Sequence, residues 1–187
     1  MGDDQVLRGE RVVLRPLTEA DLSRVADIIS NPEVEQWWTY HDEARLHREL
    51  FEDPEVVPFA VMRDGEVVGV IEYYEETDPD YPSAGIDIAL DPECCVGQGL
   101  GPDALKTLIQ YLFEQRGHHR ITIDPAVANE RAIAAYKKVG FKPVGVMRQY
   151  ERASTGEFRD NLLLDLLRDE FDLQTQPLYG RGGVIRE

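Results

Sequence analysis

Basic side chains are scarce in this chain. Twenty lysines and arginines stand against 36 aspartates and glutamates, a formal net charge of −16 over 187 residues. Such a surface lacks the positive footprint that a nucleic-acid backbone or an anionic lipid face requires. It attracts cations instead, although acidity also serves plain solubility. Cysteine is almost absent: Cys94 and Cys95 are the only two, and they are adjacent. That spacing neither holds a metal nor closes a useful disulfide loop, so the pair reads as free thiols. No stretch approaches the ~20 consecutive apolar residues that span a bilayer. The opening Met1-Gly2-Asp3-Asp4-Gln5 has none of the features of an export signal, and the expectation is a cytoplasmic protein. Repeats and low-complexity linkers are missing too. What remains is 42% hydrophobic and 30% charged, which suits one globular domain with its own core.

Local patterns predict the elements in order. Arg11 to Arg15 reads as a short strand. Thr18-Glu19-Ala20-Asp21 resembles a capping box with Asp in place of the usual Glu. Leu22, Val25, Ala26 and Ile29 follow at helical spacing until Asn31-Pro32 stops them. A second helix is predicted over residues 42–51. Residues 59–62 and 67–74 read as strands joined at Asp64-Gly65, a hairpin turn signal. An acidic loop over 75–82 leads to a strand in which Ile86, Ile88 and Leu90 alternate with Asp87 and Ala89. Leu105, Leu108, Ile109, Leu112 and Phe113 mark one face of an amphipathic helix, closed by Gly117. A strand over 121–123 and a helix through Ala132, Ala135, Tyr136 and Val139, closed by Gly140, come next. Residues 143–150 and 158–167 form a last antiparallel pair around Ser154-Thr155-Gly156. The sum is one mixed α/β domain over residues 1–171, with a central, mostly antiparallel sheet, and a weakly ordered tail over 172–187.

The run Gly97-Gln98-Gly99-Leu100-Gly101 falls at a strand-to-helix junction. Helix N-terminal N–H groups lack intrahelical partners there, and the positive end of the helix dipole suits a phosphate. A plain tight turn explains the same glycines. Neither the P-loop pattern nor the full dinucleotide-binding spacing is present, since Pro102 follows Gly101. His41, His47, His118 and His119 share no metal-ligand spacing. His118 and His119 read as surface residues, and His41, near Trp37 and Trp38, is a candidate for a cleft wall.

Gly97 to Gly101, the helix after it, Asp124-Pro125, Asn129, Arg131-Ala132-Ile133, Tyr136 and Gly140-Phe141, in that order, resemble the GNAT acetyltransferase superfamily. Glu35-Gln36-Trp37-Trp38 and Gly85-Ile86-Asp87 extend the resemblance to aminoglycoside 6′-N-acetyltransferases, over roughly Gly9 to Leu167. One departure is Val96, which occupies the first position of the family's Gln/Arg-x-x-Gly-x-Gly/Ala loop and removes a polar side chain there but no backbone donor.

The resemblance implies acetyl-CoA as cosubstrate, with no metal, lying where two neighbouring strands splay apart. Its pyrophosphate would rest on backbone groups of Val96, Gly97, Gln98, Gly99, Leu100 and Gly101. Asn129 would contact the pantetheine arm, and the same side chain suits a helix N-cap. The reaction would be direct attack of a neutral amine on the thioester. Asp87 is the candidate to take the amine's proton, as a base or as an electrostatic anchor, and Tyr136 to protonate the departing thiolate. A buried core tyrosine is the competing reading of Tyr136. Backbone N–H near Ala89-Leu90 would hold the oxyanion, worth ~3 kcal/mol. Glu72, Asp87 and Asp124 would bind substrate ammonium groups and Trp37 would wall a sugar ring. Acetylation of a protein N-terminus stays open, because the stretch from Gly9 to Leu17 is also similar to ribosomal-protein acetyltransferases. Another small amine, or a non-catalytic acetyl-CoA-binding domain, also stays open.

Overall fold

A computed structural model of the chain describes residues 5–39, 42–95 and 97–175, the last four by their backbone alone. Val96 and His41 lie outside the described residues, as do residues 176–187 of the expected tail. The chain starts with a β-hairpin, β1 (Leu7–Arg8) and β2 (Val13–Pro16). Arg11 and Val12, predicted in the strand, lie in the turn before it. The reason is 92 residues away. The Asp103 carboxylate accepts from the N–H groups of Glu10 (3.1 Å), Arg11 (2.7 Å) and Val12 (3.0 Å), which are thereby withdrawn from ladder pairing.

The capping box forms as read. The Asp21 carboxylate accepts from Thr18 N at 3.0 Å and from Thr18 Oγ1 at 2.7 Å, and Arg15 grips the same carboxylate with both Nη atoms at 2.7 Å. The Arg15 bonds lead the causes that hold the Asp21 carboxyl down at about 2. The box opens a 3₁₀ turn that runs into α1 (Leu22–Ile29). Asn31-Pro32 does more than stop α1. Asn31 caps a second helix, α2 (Pro32–Glu35), by accepting from Glu33 N. The helix predicted over 42–51 is split into α3 (Glu43–His47) and a π-helical turn, Arg48–Glu52.

The sheet continues through β3 (Val56–Arg63), β4 (Glu66–Glu76) and β5 (Ser83–Leu90). Asp64 and Gly65, both with positive φ, make the β3–β4 turn. After the short α4 (Pro92–Cys95) comes the long α5 (Leu100–Glu114), then β6 (Arg120–Ile123), α6 (Glu130–Val139), β7 (Lys142–Arg152), β8 (Phe158–Leu167) and α7 (Arg168–Thr175). That last helix crosses the expected start of the tail at residue 172, anchored by the buried Phe171 ring beside Phe113.

The strands form one eight-stranded sheet in the order β1-β2-β3-β4-β5-β6-β8-β7. Every pairing is antiparallel except β5 with β6. Both faces of the central strands are covered. On one side Leu105, Leu108, Ile109 and Leu112 of α5 meet Phe59, Ile71, Tyr73 and Ile86. On the other, Val25 and Ile29 of α1 and Leu46 of α3 meet Ala60, Val70 and Ala89. Each fully buried Leu, Ile, Val or Phe among them contributes ~1.5–3 kcal/mol. Asp87 and Ala89, which alternate with the isoleucines of β5, face no outer surface: Ala89 belongs to the second core and Asp87 borders a cavity. His118 is also drawn in, with Nε2 2.6 Å from Glu75 Oε1, while Arg116 holds the other oxygen. Among the described residues no helix is long and apolar enough to cross a membrane.

Candidate active site

The site is built on a failure of two strands to stay paired. β5 and β6 run parallel and match only at Ala84–Ile121 and Gly85–Thr122. Beyond Gly85 the β6-facing edge of β5 has no strand partner among the described residues, while β6 goes on pairing with β8 through Ile123. The gap opens into a cavity of about 770 Å³. β5 lines it with Asp87 to Leu90, β4 with Glu72 and Tyr74, and the end of β6 with Ile123 and Asp124. Asn129 and Tyr136 line it from α6 and the turn before it, Trp37 and Trp38 follow α2, and Glu49 and Asp53 belong to or follow the π turn.

Antiparallel register makes neighbours of residues distant in sequence. Glu72 stands opposite Asp87 and Tyr74 opposite Gly85. The glycine is required sterically. A Cβ at residue 85 would lie 2.1 Å from Cζ of the Tyr74 ring, which packs where that side chain would be.

Seven carboxylate side chains line the cavity against three arginines. Asp87 keeps some surface only because it borders the cavity, and protein atoms otherwise enclose it. Burial, then the charges of Asp124 and Glu151, push its carboxyl up to about 7. Burial also raises Glu72 well above the usual carboxylate range, helped by Asp87, Glu49 and Asp53. Asp124 is raised by burial, against an opposing hydrogen bond from Asn161. Tyr136 is raised by burial and then by Asp87 and Asp124. Its ring packs edge-on against Phe141 in the core, so it is a core tyrosine that also faces the cavity.

Three buried side-chain polar atoms have no hydrogen-bond partner among the described residues: Thr39 Oγ1, Glu72 Oε2 and Asn161 Oδ1. All three residues line this cavity. A buried oxygen left unpaired costs about 1–3 kcal/mol, so the cavity presents polar groups for a ligand to satisfy. Asn161 meanwhile donates Nδ2 to Asp124 O at 2.8 Å and to Glu151 Oε2 at 3.1 Å. Arg159 ties Glu151 to the tryptophan segment, donating to Glu151 Oε2 at 2.9 Å and to Trp37 O at 2.7 Å, with its guanidinium 6.0 Å from the Trp37 ring centre.

At the other end of β5 lies the glycine loop. Gly97 and Gly99 adopt φ of +75° and +74°, and Gly99 caps α5. The N–H groups of Leu100 and Gly101 have no intrahelical acceptor, Pro102 has none to offer, and Asp103 N is taken by Gly99 O at 3.2 Å. Glycine space and N–H groups without an acceptor among the described residues fit a diphosphate. Gln98 differs from its neighbours because its polar groups face protein. Its N–H donates to Cys95 O, its C=O accepts from Arg11 and its side chain meets Arg63. Asn129 caps α6 by accepting from Ala132 N at 3.1 Å and still lines the cavity, so both uses of that side chain are compatible. Cys94 and Cys95 are free thiols, as read, and burial leads the causes that push Cys95 up to about 12. Among the described residues no group of three or more His, Cys, Asp or Glu is placed to hold a metal ion.

The structure thus gathers Trp37, Glu72, Asp87, Leu90, Asp124, Asn129 and Tyr136 around one cavity, with Gly101 at its edge. Residue-level reading passed over Glu49, Asp53, Glu151 and Asn161, and gave Tyr74 no role. Asn161 carried little signal of its own, since it ends the polar stretch Arg159-Asp160-Asn161 directly before the apolar run Leu162 to Leu164.

Comparison with known proteins agrees with this architecture. Residues 11–142 match the family model of the acetyltransferase (GNAT) domain. The chain is 29% identical over 157 residues to the aminoglycoside N(6′)-acetyltransferase type 1 of Klebsiella pneumoniae, covering 74% of this chain and 77% of that relative. It is 26% identical over 166 residues to the spermidine N(1)-acetyltransferase of Escherichia coli (strain K12), covering 86% and 88%. The solved structure of aminoglycoside acetyltransferase AAC(6')-Ib with coenzyme A and kanamycin aligns with a TM-score of 0.74 at 27% identity, over 88% of this chain and 99% of that one. With most of its sheet and both of its long helices inside the matched region, the chain belongs to the GNAT acetyltransferase family and is an acetyl-CoA-dependent N-acetyltransferase.

Proposed function

We propose that the acceptor is an aminoglycoside and that its 6′-amine receives the acetyl group. The observation that carries this reading is the acceptor cavity itself. Its unpaired buried oxygens and excess of carboxylates ask for several ammonium groups at once. Its volume of about 770 Å³ suits a ring-built ligand. Trp37 offers a flat wall for a sugar ring, and Glu72 and Asp124 hold ammonium groups.

Acetyl-CoA supplies the acetyl group as a thioester. The backbone of Gly97, Gly99, Leu100 and Gly101 holds its diphosphate, and Asn129 holds the pantetheine arm. The unpaired edge of β5, ending at Leu90, presents N–H groups toward the thioester. Asp87 accepts the proton that the bound ammonium must lose before its nitrogen can form the new C–N bond. Its carboxyl, raised to about 7, is matched to that exchange at neutral pH. The Tyr136 hydroxyl supplies a proton to the sulfur as the C–S bond breaks, and is restored by the second proton that the nitrogen sheds on becoming the amide.

A linear polyamine is the second reading, favoured by the spermidine-acetylating relative. Thiol release from acetyl-CoA, measured with kanamycin, spermidine, a basic peptide or no acceptor, separates them. Turnover with kanamycin is expected. Turnover confined to spermidine or to the peptide rejects the aminoglycoside, and no turnover with any amine rejects the acceptor site as drawn. Asp124→Asn is expected to raise the KM for kanamycin about tenfold, the loss of one charge-assisted contact, with kcat little changed. An unaltered KM across several aminoglycosides removes Asp124 from acceptor binding.

A further inference from the structure

A coenzyme carrying several negative charges must approach a chain whose net charge is −16, and position 96 of its glycine loop is a valine. Two guanidinium groups reach that loop from elsewhere in the fold. Arg11, in the β1–β2 turn, donates Nη1 to Gln98 O at 3.0 Å. Its guanidinium lies against Gly99, where an added Cβ would be 3.8 Å from Nη1 and 3.9 Å from Cζ. Arg63, at the end of β3, meets Gln98 Oε1.

The bond to Gln98 O has a directional consequence. A trans peptide points its C=O and the following N–H to opposite sides. With the Gln98 carbonyl fixed toward Arg11, the Gly99 N–H is fixed away from it, and the left-handed Gly99 then leads into the N–H groups that open α5. The turn that carries Arg11 is itself secured. Asp103, in the first turn of α5, binds three successive N–H groups of that turn. Gly9 is needed beside it, since a Cβ there would lie 2.5 Å from Asp103 Oδ2 and Thr107 Oγ1. The helix thus anchors the turn, the turn anchors Arg11, and Arg11 orients the loop that starts the helix.

We infer that Arg11 is a positioning residue for the coenzyme's diphosphate, orienting the Gly99 peptide and adding positive charge to a loop that lacks a polar side chain at residue 96. The inference rests on the loop holding the diphosphate. It is tested by Arg11→Gln, with CoA affinity from calorimetry and steady-state rates with acetyl-CoA and with S-acetylpantetheine, which lacks the diphosphate. Arg11 is exposed, and Asp103 holds the turn through backbone groups, so the fold is retained. The Kd for CoA and the KM for acetyl-CoA are expected to rise about tenfold. kcat at saturating acetyl-CoA, the KM for the amine, and kcat/KM with S-acetylpantetheine are expected to stay within about twofold. Arg11→Lys, which keeps the charge and the stem, recovers part of the affinity, and it carries the test alone if the glutamine variant unfolds, with a rise of about threefold. An unchanged Kd for CoA overturns the inference, as does an equal loss with S-acetylpantetheine, which would mark a purely structural role. A wild-type enzyme that uses S-acetylpantetheine as well as acetyl-CoA would instead reject the loop as the diphosphate site. Because CoA binding needs no acceptor, these outcomes are independent of which amine is acetylated.

Discussion

Replacing Asp87 with Asn lowers kcat at neutral pH by about 10²–10⁴-fold, the range for loss of a positioned general base. The pH profile is the sharper readout. Burial and the neighbouring Asp124 and Glu151 hold this carboxyl at about 7, so the charged form accumulates only as pH rises through that value. Wild-type kcat/KM therefore climbs through about pH 7, and the variant loses that limb. Stability moves the other way. A carboxyl raised from 3.8 to about 7 in the folded state binds its proton more tightly folded than unfolded. Its contribution to stability is full below the unfolded pKa and is lost as pH rises through about 7. Asp87→Asn escapes that loss and at pH 8 gains roughly 2–4 kcal/mol, or roughly 5–10 °C in melting temperature. A variant with wild-type kcat and no change in its pH profile would remove Asp87 from the chemistry.

Gly85→Ala should damage both the fold and the acceptor site. The new methyl group lands on the Tyr74 ring, at 2.1 Å from Cζ and 2.4 Å from the hydroxyl oxygen. Either the ring swings into the cavity it lines or β4 and β5 move apart between two cores. Overpacking of this kind costs about 1–3 kcal/mol, measurable as a lower urea midpoint. The KM for the amine should rise while the Kd for CoA holds, because the glycine loop lies at the far end of β5. A fully stable Gly85→Ala variant with normal acceptor binding would show that the ring has room to yield.

What was legible in the sequence was what is local. The Thr18–Asp21 box, the Asp64-Gly65 turn and the Asn129 cap each depend on groups within three residues, and each forms as read. Arg11 leaves its strand because of a carboxylate on α5, a cause no window around residue 11 contains. The continuation of α7 past residue 172 is likewise tertiary, and depends on Phe171 finding Phe113. At the candidate site, Asp87 and Asp124 were reached through family resemblance. Tyr74, Glu151 and Asn161 were not, because strand register and the return of β8 beside β6 bring them to the cavity. Gly85 was visible only as a motif letter until its cross-strand neighbour supplied the steric reason.

The short seam between β5 and β6 has a mechanical consequence. β1 to β5 make one antiparallel leaf and β6, β8 and β7 another, and the sheet joins them at only two residue pairs. The backbone link between the leaves therefore runs through Ala84, Gly85, Ile121 and Thr122 alone. Where the ladder stops, one apolar core holds the leaves together, with Ile71 and Ile86 of the first and Ile121 and Leu166 of the second packed in the same cluster as α5.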